Sequence, residues 1–172
     1  MEHTACVILK CREAYLDVFD EENPSCLKLI LRLAYEASHC ISLGYTTFIC
    51  TLGSTVELLF AEAVLDLKRV YSQMPIRLCV IRCPVNDYLS KSDYLSRYEK
   101  VLIEAEPVSI SEALSGADFI KKADKYMREQ SSYILALNAQ IRPYIKDISK
   151  TEAVINLREY CPKHPPELIL IK

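Results

Sequence analysis

The sequence predicts a single α/β domain in which helices cover both faces of a mostly parallel sheet of about six strands. Short apolar runs rich in β-branched residues alternate with helical stretches of roughly 12 to 20 residues, which is the pattern of βαβ units. The chain has 172 residues, of which 51% are hydrophobic, so it can bury a sizeable core. These two observations together indicate a Rossmann-like three-layer sandwich over residues 1–172.

The first half of the chain contains two predicted strand–helix pairs. Residues Thr4–Leu9 form a buried strand, and Asn23 followed by Pro24 marks a helix start, a capping residue before a proline in the first turn. Gly44 marks the end of that helix because glycine adopts the left-handed conformation of a helix stop. A second strand and a long amphipathic helix follow between Gly44 and Val70.

The second half continues the alternation. The predicted strands lie at 76–83, 107–110, 133–137 and 167–171, and the predicted helices lie at 93–105, 115–130 and 149–160. A mildly basic loop at 138–148 contains Arg142, Tyr144 and Lys146, which could cover a site or form a plain surface loop.

Charge and composition exclude several classes of protein. The 21 basic and 23 acidic residues are intermixed and give a net charge of −2, so nucleic acid is not an expected partner. No apolar run approaches the roughly 18 residues of a membrane span, and the N-terminus does not resemble a signal peptide, so we expect a cytoplasmic protein without a membrane partner. The eight cysteines lack zinc-binding spacing and are expected to be reduced thiols, with no metal site.

The scarcity of glycine excludes the common phosphate-binding motifs. Gly44, Gly53 and Gly116 are the three glycines of the chain. Phosphate loops use several glycines so that the backbone can approach the phosphate closely. The sequence has no GxGxxG, no Walker A motif and no GxSxG.

The strongest candidate site is the loop between the second strand and the next helix. A strand that leads into a helix N-terminus is where α/β proteins bind phosphate groups. Ser54 and Glu57 match a capping box, in which Ser54 accepts from the N–H of Glu57 and Glu57 reaches back to the N–H of Ser54. A carboxylate here would repel a phosphate. Glu57 is most simply a cap; the alternatives are an acid that contacts a ribose hydroxyl and a catalytic acid/base.

Other residues could contact a ligand at the same edge of the sheet. Lys10 and Arg12 follow the first strand, where an anion contact and a solvated turn fit equally well. Thr51, Ser54 and Thr55 carry hydroxyls that could bond a phosphate or simply cap the helix.

A second Ser-x-x-Glu pattern opens the predicted helix at 149–160. Ser149 and Thr151 are therefore further ligand-binding candidates, with the same capping alternative. The three histidines, His3, His39 and His164, have no evident serine or cysteine partner and are poor candidates for a nucleophile–base pair.

Five stretches resemble the YpsA-like branch of the SLOG superfamily, whose wider members include the Smf/DprA and LOG proteins. They are DEENPSCLKLILRL, GYTTFIC, AEAVLDLK, DYLSRYEKVL and KYMREQSSYILAL, in the expected order over nearly the full chain. The resemblance implies a Rossmann-like domain that binds a nucleotide or nucleotide-derived ligand. In the LOG branch it implies hydrolysis of an N-glycosidic bond in a nucleotide.

The ligand-binding motifs of that family are altered here. A TGHR-like turn is replaced by residues 9–12, LKCR, which keep the arginine, and the GMALGxD loop is replaced by residues 51–57, TLGSTVE, in which threonines stand for both motif glycines. An Arg-Asn pair corresponds to Ala123-Asp124, and the late Gly-Gly-Thr loop corresponds to residues 149–151, SKT.

We therefore expect a divergent, non-catalytic SLOG-like protein with a remodelled or lost site for a nucleotide such as ADP-ribose or an NAD derivative. No cofactor is certain; a nucleotide or nucleotide-sugar is the ligand that the resemblance implies. One alternative is a LOG-like hydrolase that uses Glu57 as its acid/base and Arg12 to hold phosphate. Another is an oligomeric scaffold or regulatory subunit, because SLOG relatives are often oligomeric and a homo-oligomer is expected.

Overall fold

The computed structural model describes residues 3–9, 22, 24–82, 95–110, 116–138 and 151–160. These residues form six strands, four α-helices and a short 3-10 helix. The strands are β1 (Thr4–Leu9), β2 (Thr47–Cys50), β3 (Arg77–Ile81), β4 (Glu106–Val108), β5 (Tyr133–Asn138) and β6 (Thr151–Asn156). The α-helices are α1 (Pro24–Ser42), α2 (Thr55–Val70), α3 (Leu95–Glu104) and α4 (Gly116–Gln130), and the 3-10 helix is Leu157–Glu159.

All six strands form one parallel sheet in the order β4-β3-β2-β1-β5-β6. This arrangement confirms the predicted Rossmann-like α/β fold. The chain moves outward from β1 to β4 and then returns to place β5 on the other side of β1. Ligands of such sheets bind where the order reverses, at the carboxyl ends of the strands. The segments that follow β1 and β5, residues 10–21 and 139–150, lie outside the described residues.

Alternate side chains of the buried strands pack into two separate cores. Ala5 and Val7 of β1 contribute to the larger core, which the sheet shares with α1, α2 and α3. Cys6 and Ile8 of the same strand pack into the smaller core under α4. Strands covered on both faces explain the continuous apolar run of β1. Among the described residues, no helix is long and apolar enough to cross a membrane.

Gly44 ends α1 in the way that the sequence predicts. Its φ is +95°, in the left-handed region that favours glycine. The N–H of Gly44 donates to the carbonyl of Ile41, and the N–H of Tyr45 donates to the carbonyl of Cys40, each at 3.0 Å. These two bonds form a Schellman motif, which turns the chain from α1 directly into β2.

The prediction of a helix at 149–160 is wrong. Residues Thr151–Asn156 form β6, which pairs with β5, and the 3-10 helix Leu157–Glu159 follows. The open edge of β5 offers this segment a row of backbone hydrogen-bond partners, and Val154 and Ile155 favour an extended strand. The predicted strand at 167–171 and the loop residues Arg142, Tyr144 and Lys146 lie outside the described residues.

Candidate functional site

The loop that joins β2 to α2 lies at the carboxyl edge of the sheet and runs from Thr51 to Ser54. Leu52 has a φ of +53°, in the left-handed region, although it is followed by the more permissive Gly53. A left-handed leucine costs roughly 1–2 kcal/mol. The side chain of Leu52 is only 1% exposed and belongs to the larger core, so its burial offsets this strain.

Ser54 is the N-cap of α2, as the capping box predicts. Its backbone is extended, with φ −153° and ψ 165°, and its hydroxyl accepts from the N–H of Glu57 at 3.3 Å. The carbonyl of Ser54 accepts from the N–H of Leu58, which closes the first turn. The helix N-terminus therefore uses its own side chain as an acceptor.

The carboxylate of Glu57 is buried against two hydroxyl groups. Its Oε1 accepts from Thr51 Oγ1 at 2.7 Å, and its Oε2 accepts from Ser54 Oγ at 3.0 Å. The sequence predicted a bond from the N–H of Ser54, and the structure gives the hydroxyl of the same residue instead. Glu57 is only 1% exposed. The carboxylate thus lies at the N-terminus of α2, where the helix dipole favours negative charge.

Thr55, the first residue of α2, adds a polar group without a partner. Its side chain is fully buried, and among the described residues Thr55 Oγ1 has no hydrogen-bond partner. A buried unpartnered hydroxyl costs about 1–3 kcal/mol. The N–H groups of Thr55 and Val56 also precede the intrahelical ladder. At the start of α2, Ser54 therefore caps the helix, while the hydroxyl of Thr55 has no partner in the described part of the chain.

Two buried thiols of the larger core, Cys50 next to this loop and Cys40 on α1, are not activated nucleophiles. Burial raises the pKa of the Cys50 thiol well above its ordinary value, and the negative charge of Glu57 raises it further. Burial likewise raises the pKa of Cys40 to about 12. A thiol that stays neutral is a poor nucleophile and a poor metal ligand. Within the described ranges, no group of three or more His, Cys, Asp or Glu residues could hold a metal ion.

The structure brings some of the predicted site residues together and separates another. Thr51, Ser54, Thr55 and Glu57 surround the start of α2. Thr151 begins β6 opposite Ile134, and β1 and β5 lie between β6 and β2. Three strand spacings of about 4.8 Å separate β6 from β2, so Thr151 lies at least roughly 14 Å from the end of β2. Thr151 therefore does not join the loop, and the second capping pattern does not open a helix.

Three other predicted ligand residues, Lys10, Arg12 and Ser149, lie outside the described residues, as does His164. His39 lies exposed on α1 with its ring parallel to that of Tyr35, at a centroid distance of 6.2 Å. His39 is therefore a residue of the helix surface.

Two features of the loop were absent from the sequence prediction. The local pattern favours Gly53 as the left-handed residue, but the buried Leu52 takes that conformation instead. The prediction for Thr55 was a phosphate donor or a cap, whereas Ser54 takes the cap and leaves Thr55 Oγ1 without a partner in the described ranges.

Comparison with known proteins adds no family to this description. No protein-family model matches the chain. A search of the curated proteins also finds no match.

Proposed function

We propose that this chain is a divergent, non-catalytic SLOG-like domain whose nucleotide site is closed at the phosphate position by its own carboxylate. The observation that supports this most directly is the burial of Glu57, whose two oxygens accept from Thr51 and Ser54 at the N-terminus of α2. A phosphate of a nucleotide ligand would be bound at such a helix end. In this chain Glu57 provides the anion.

The energetic argument is electrostatic. A phosphate oxygen about 5 Å from a carboxylate is opposed by roughly 3 kcal/mol at an effective dielectric constant near 20. That energy corresponds to about a hundredfold in affinity. The donors at this helix end, including Thr55 Oγ1, are suited to an acceptor, but the carboxylate beside them disfavours an anionic one.

The absence of catalysis is supported by the same contacts. A LOG-like hydrolase would need Glu57 within reach of substrate and free to accept or deliver a proton. Here the carboxylate is 1% exposed and bonded on both oxygens. The neighbouring Cys50 offers no alternative nucleophile, because burial raises the pKa of its thiol.

Removing the charge of Glu57 while keeping its shape tests the proposal. We expect AMP, ADP-ribose and NAD to leave the melting temperature of the wild-type protein nearly unchanged. Glu57→Gln should gain a concentration-dependent stabilisation by these nucleotides, following RT ln(1 + [L]/Kd). Glu62→Gln is the matched control, because Glu62 lies on the same helix and pairs with Arg97, away from the loop. It should gain no stabilisation.

A double variant identifies the position of binding. Thr55→Val in the Glu57→Gln background removes a buried donor and should abolish the gained stabilisation. If wild type binds these nucleotides as tightly as Glu57→Gln, the carboxylate does not close the site. Release of free base from AMP by wild type, lost in Glu57→Gln, would contradict the absence of catalysis and favour the hydrolase.

A further inference from the structure

Helix α1 has apolar residues on both its inner and its outer face. The inner face packs into the larger core through Leu29, Leu33 and Ala37, each fully buried. On the outer face, Leu27 is 49% exposed and Leu31 is 70% exposed. Exposed apolar residues that adjoin one another, rather than lying scattered, are typical of an interaction surface. The outer face of α1 is therefore an unpartnered surface within the described part of the chain.

The exposed residues form a continuous ridge at a spacing of four. Leu27, Leu31, Tyr35 and His39 follow one another along the helix, and Tyr35 is 63% exposed. The rings of Tyr35 and His39 lie parallel to each other within this ridge, with centroids 6.2 Å apart. Side chains that are already ordered lose less conformational entropy when they dock.

A second ridge runs beside the first. Ile30, Ala34 and Ser38 follow the same spacing and are each partly buried, and the two later members are small. Ridges at four-residue spacing pack into the grooves of an equivalent helix. We propose that the outer face of α1 docks against α1 of a second copy of this chain, about a twofold axis near Tyr35. The inference is independent of the proposed function, because it concerns a surface apart from the loop at Thr51–Ser54.

The size of the surface fits a small, reversible dimer. A fully exposed large residue presents on the order of 200 Å². Leu27, Leu31 and Tyr35 together therefore offer about 360 Å². Stable complexes bury about 800 Å² per partner, and weak, transient ones less than about 600 Å². The exposed Pro24, Lys28 and His39 widen the ridge toward the lower value.

Charge also suits an antiparallel pair of α1 helices. Apart from Lys28, the charged groups of α1 are Arg32 and Glu36, which are bonded to each other at 2.8 Å. About a twofold axis at Tyr35, Lys28 of one copy lies level with Ser42 of the other. Ser42 is in the last turn of α1, where the helix dipole is negative and favours a cation.

Sedimentation velocity from low to high micromolar concentration tests this interface. Wild type should shift from monomer to dimer, while Leu31→Glu and Tyr35→Glu should each raise the dissociation constant about tenfold or more. Ile103→Glu is the matched control, because Ile103 is 83% exposed on a different helix, and it should dimerise like wild type. Circular dichroism and melting at low concentration should show that all variants are folded.

A charge-swap experiment distinguishes a second copy from other partners. Tyr35→Lys and Tyr35→Glu should each remain monomeric and should form a heterodimer when mixed, because the two substituted positions meet at the axis. A wild type that stays monomeric at every concentration overturns the proposal, as does monomeric protein that sediments with anionic phospholipid vesicles. Loss of dimerisation in Ile103→Glu, or none in the Leu31 and Tyr35 variants, overturns it as well. None of these outcomes depends on nucleotide binding.

Discussion

Helices α1 and α2 lie on the same face of the sheet, yet their outward sides differ. The first seven residues of α2, Thr55–Ala61, are all buried, and the exposed residues of its last turns are Asp66, Lys68, Arg69 and one apolar residue, Val70. Helix α1 instead keeps Leu31 and Tyr35 in solvent. The start of α2 is therefore buried within the fold, whereas the outer face of α1 stays exposed. The contrast separates the site that we propose is closed from the surface that we propose for docking.

The largest expected difference in the free energy of unfolding is between variants at two leucines of α1. Leu33 is fully buried, so Leu33→Ala should lower the free energy of unfolding by about 2–5 kcal/mol through lost burial and a cavity. Leu31 is 70% exposed, so Leu31→Ala should change it by less than about 0.5 kcal/mol. Urea unfolding at low protein concentration measures both values. An equal loss in the two variants would mean that the monomer itself covers Leu31.

The buried carboxylates of the two helices give the next largest effect. Glu57→Ala leaves Thr51 Oγ1 and Ser54 Oγ without their acceptor, and we expect a loss of about 2–3 kcal/mol. Glu36→Ala should cost only about 1 kcal/mol, because the side chain of Arg32 is 40% exposed and can turn to water.

Denaturant unfolding of both variants at neutral pH measures the difference. Glu57→Gln is the control, because an amide can accept from one hydroxyl and donate to the other, and it should recover most of the loss. A smaller effect for Glu57 than for Glu36 would contradict the idea that Glu57 closes the start of α2.

Local signals were sufficient for most of the fold. The alternation of strand and helix predicted β1 over Thr4–Leu9 with the bounds that the structure shows, and Gly44 correctly marked the end of α1. At 149–160 the local signal was misleading, because Ser149-x-x-Glu152 resembles a helix cap while the edge of β5 recruits Thr151–Asn156 as a strand. Sheet pairing is a long-range effect that no short pattern contains.

The candidate site was predictable only where one residue acts on a near neighbour. The cap from Ser54 to the N–H of Glu57 spans three residues and follows from the capping pattern. The bond from Thr51 Oγ1 to Glu57 depends on the turn between them, in which Leu52 is left-handed. That turn is set by burial of Leu52 in the core, so neither the bond nor the turn could be derived from the residues alone.

The smallest expected effect concerns the polar surface at the C-terminal end of α2. Arg69 donates to Asp66 and to Glu104 of α3, each at 2.6 Å, and its side chain is 56% exposed. Arg69→Met keeps the stem and removes both ion pairs, and we expect a loss of no more than about 1 kcal/mol, because solvent and salt screen exposed charges. The loss should shrink further when unfolding is measured at high salt.

Ile103→Met on α3 is the control for a change of surface residue without a change of charge, and it should show no salt dependence. A large, salt-insensitive loss for Arg69→Met would mean that this end of α2 is as tightly built as its buried start.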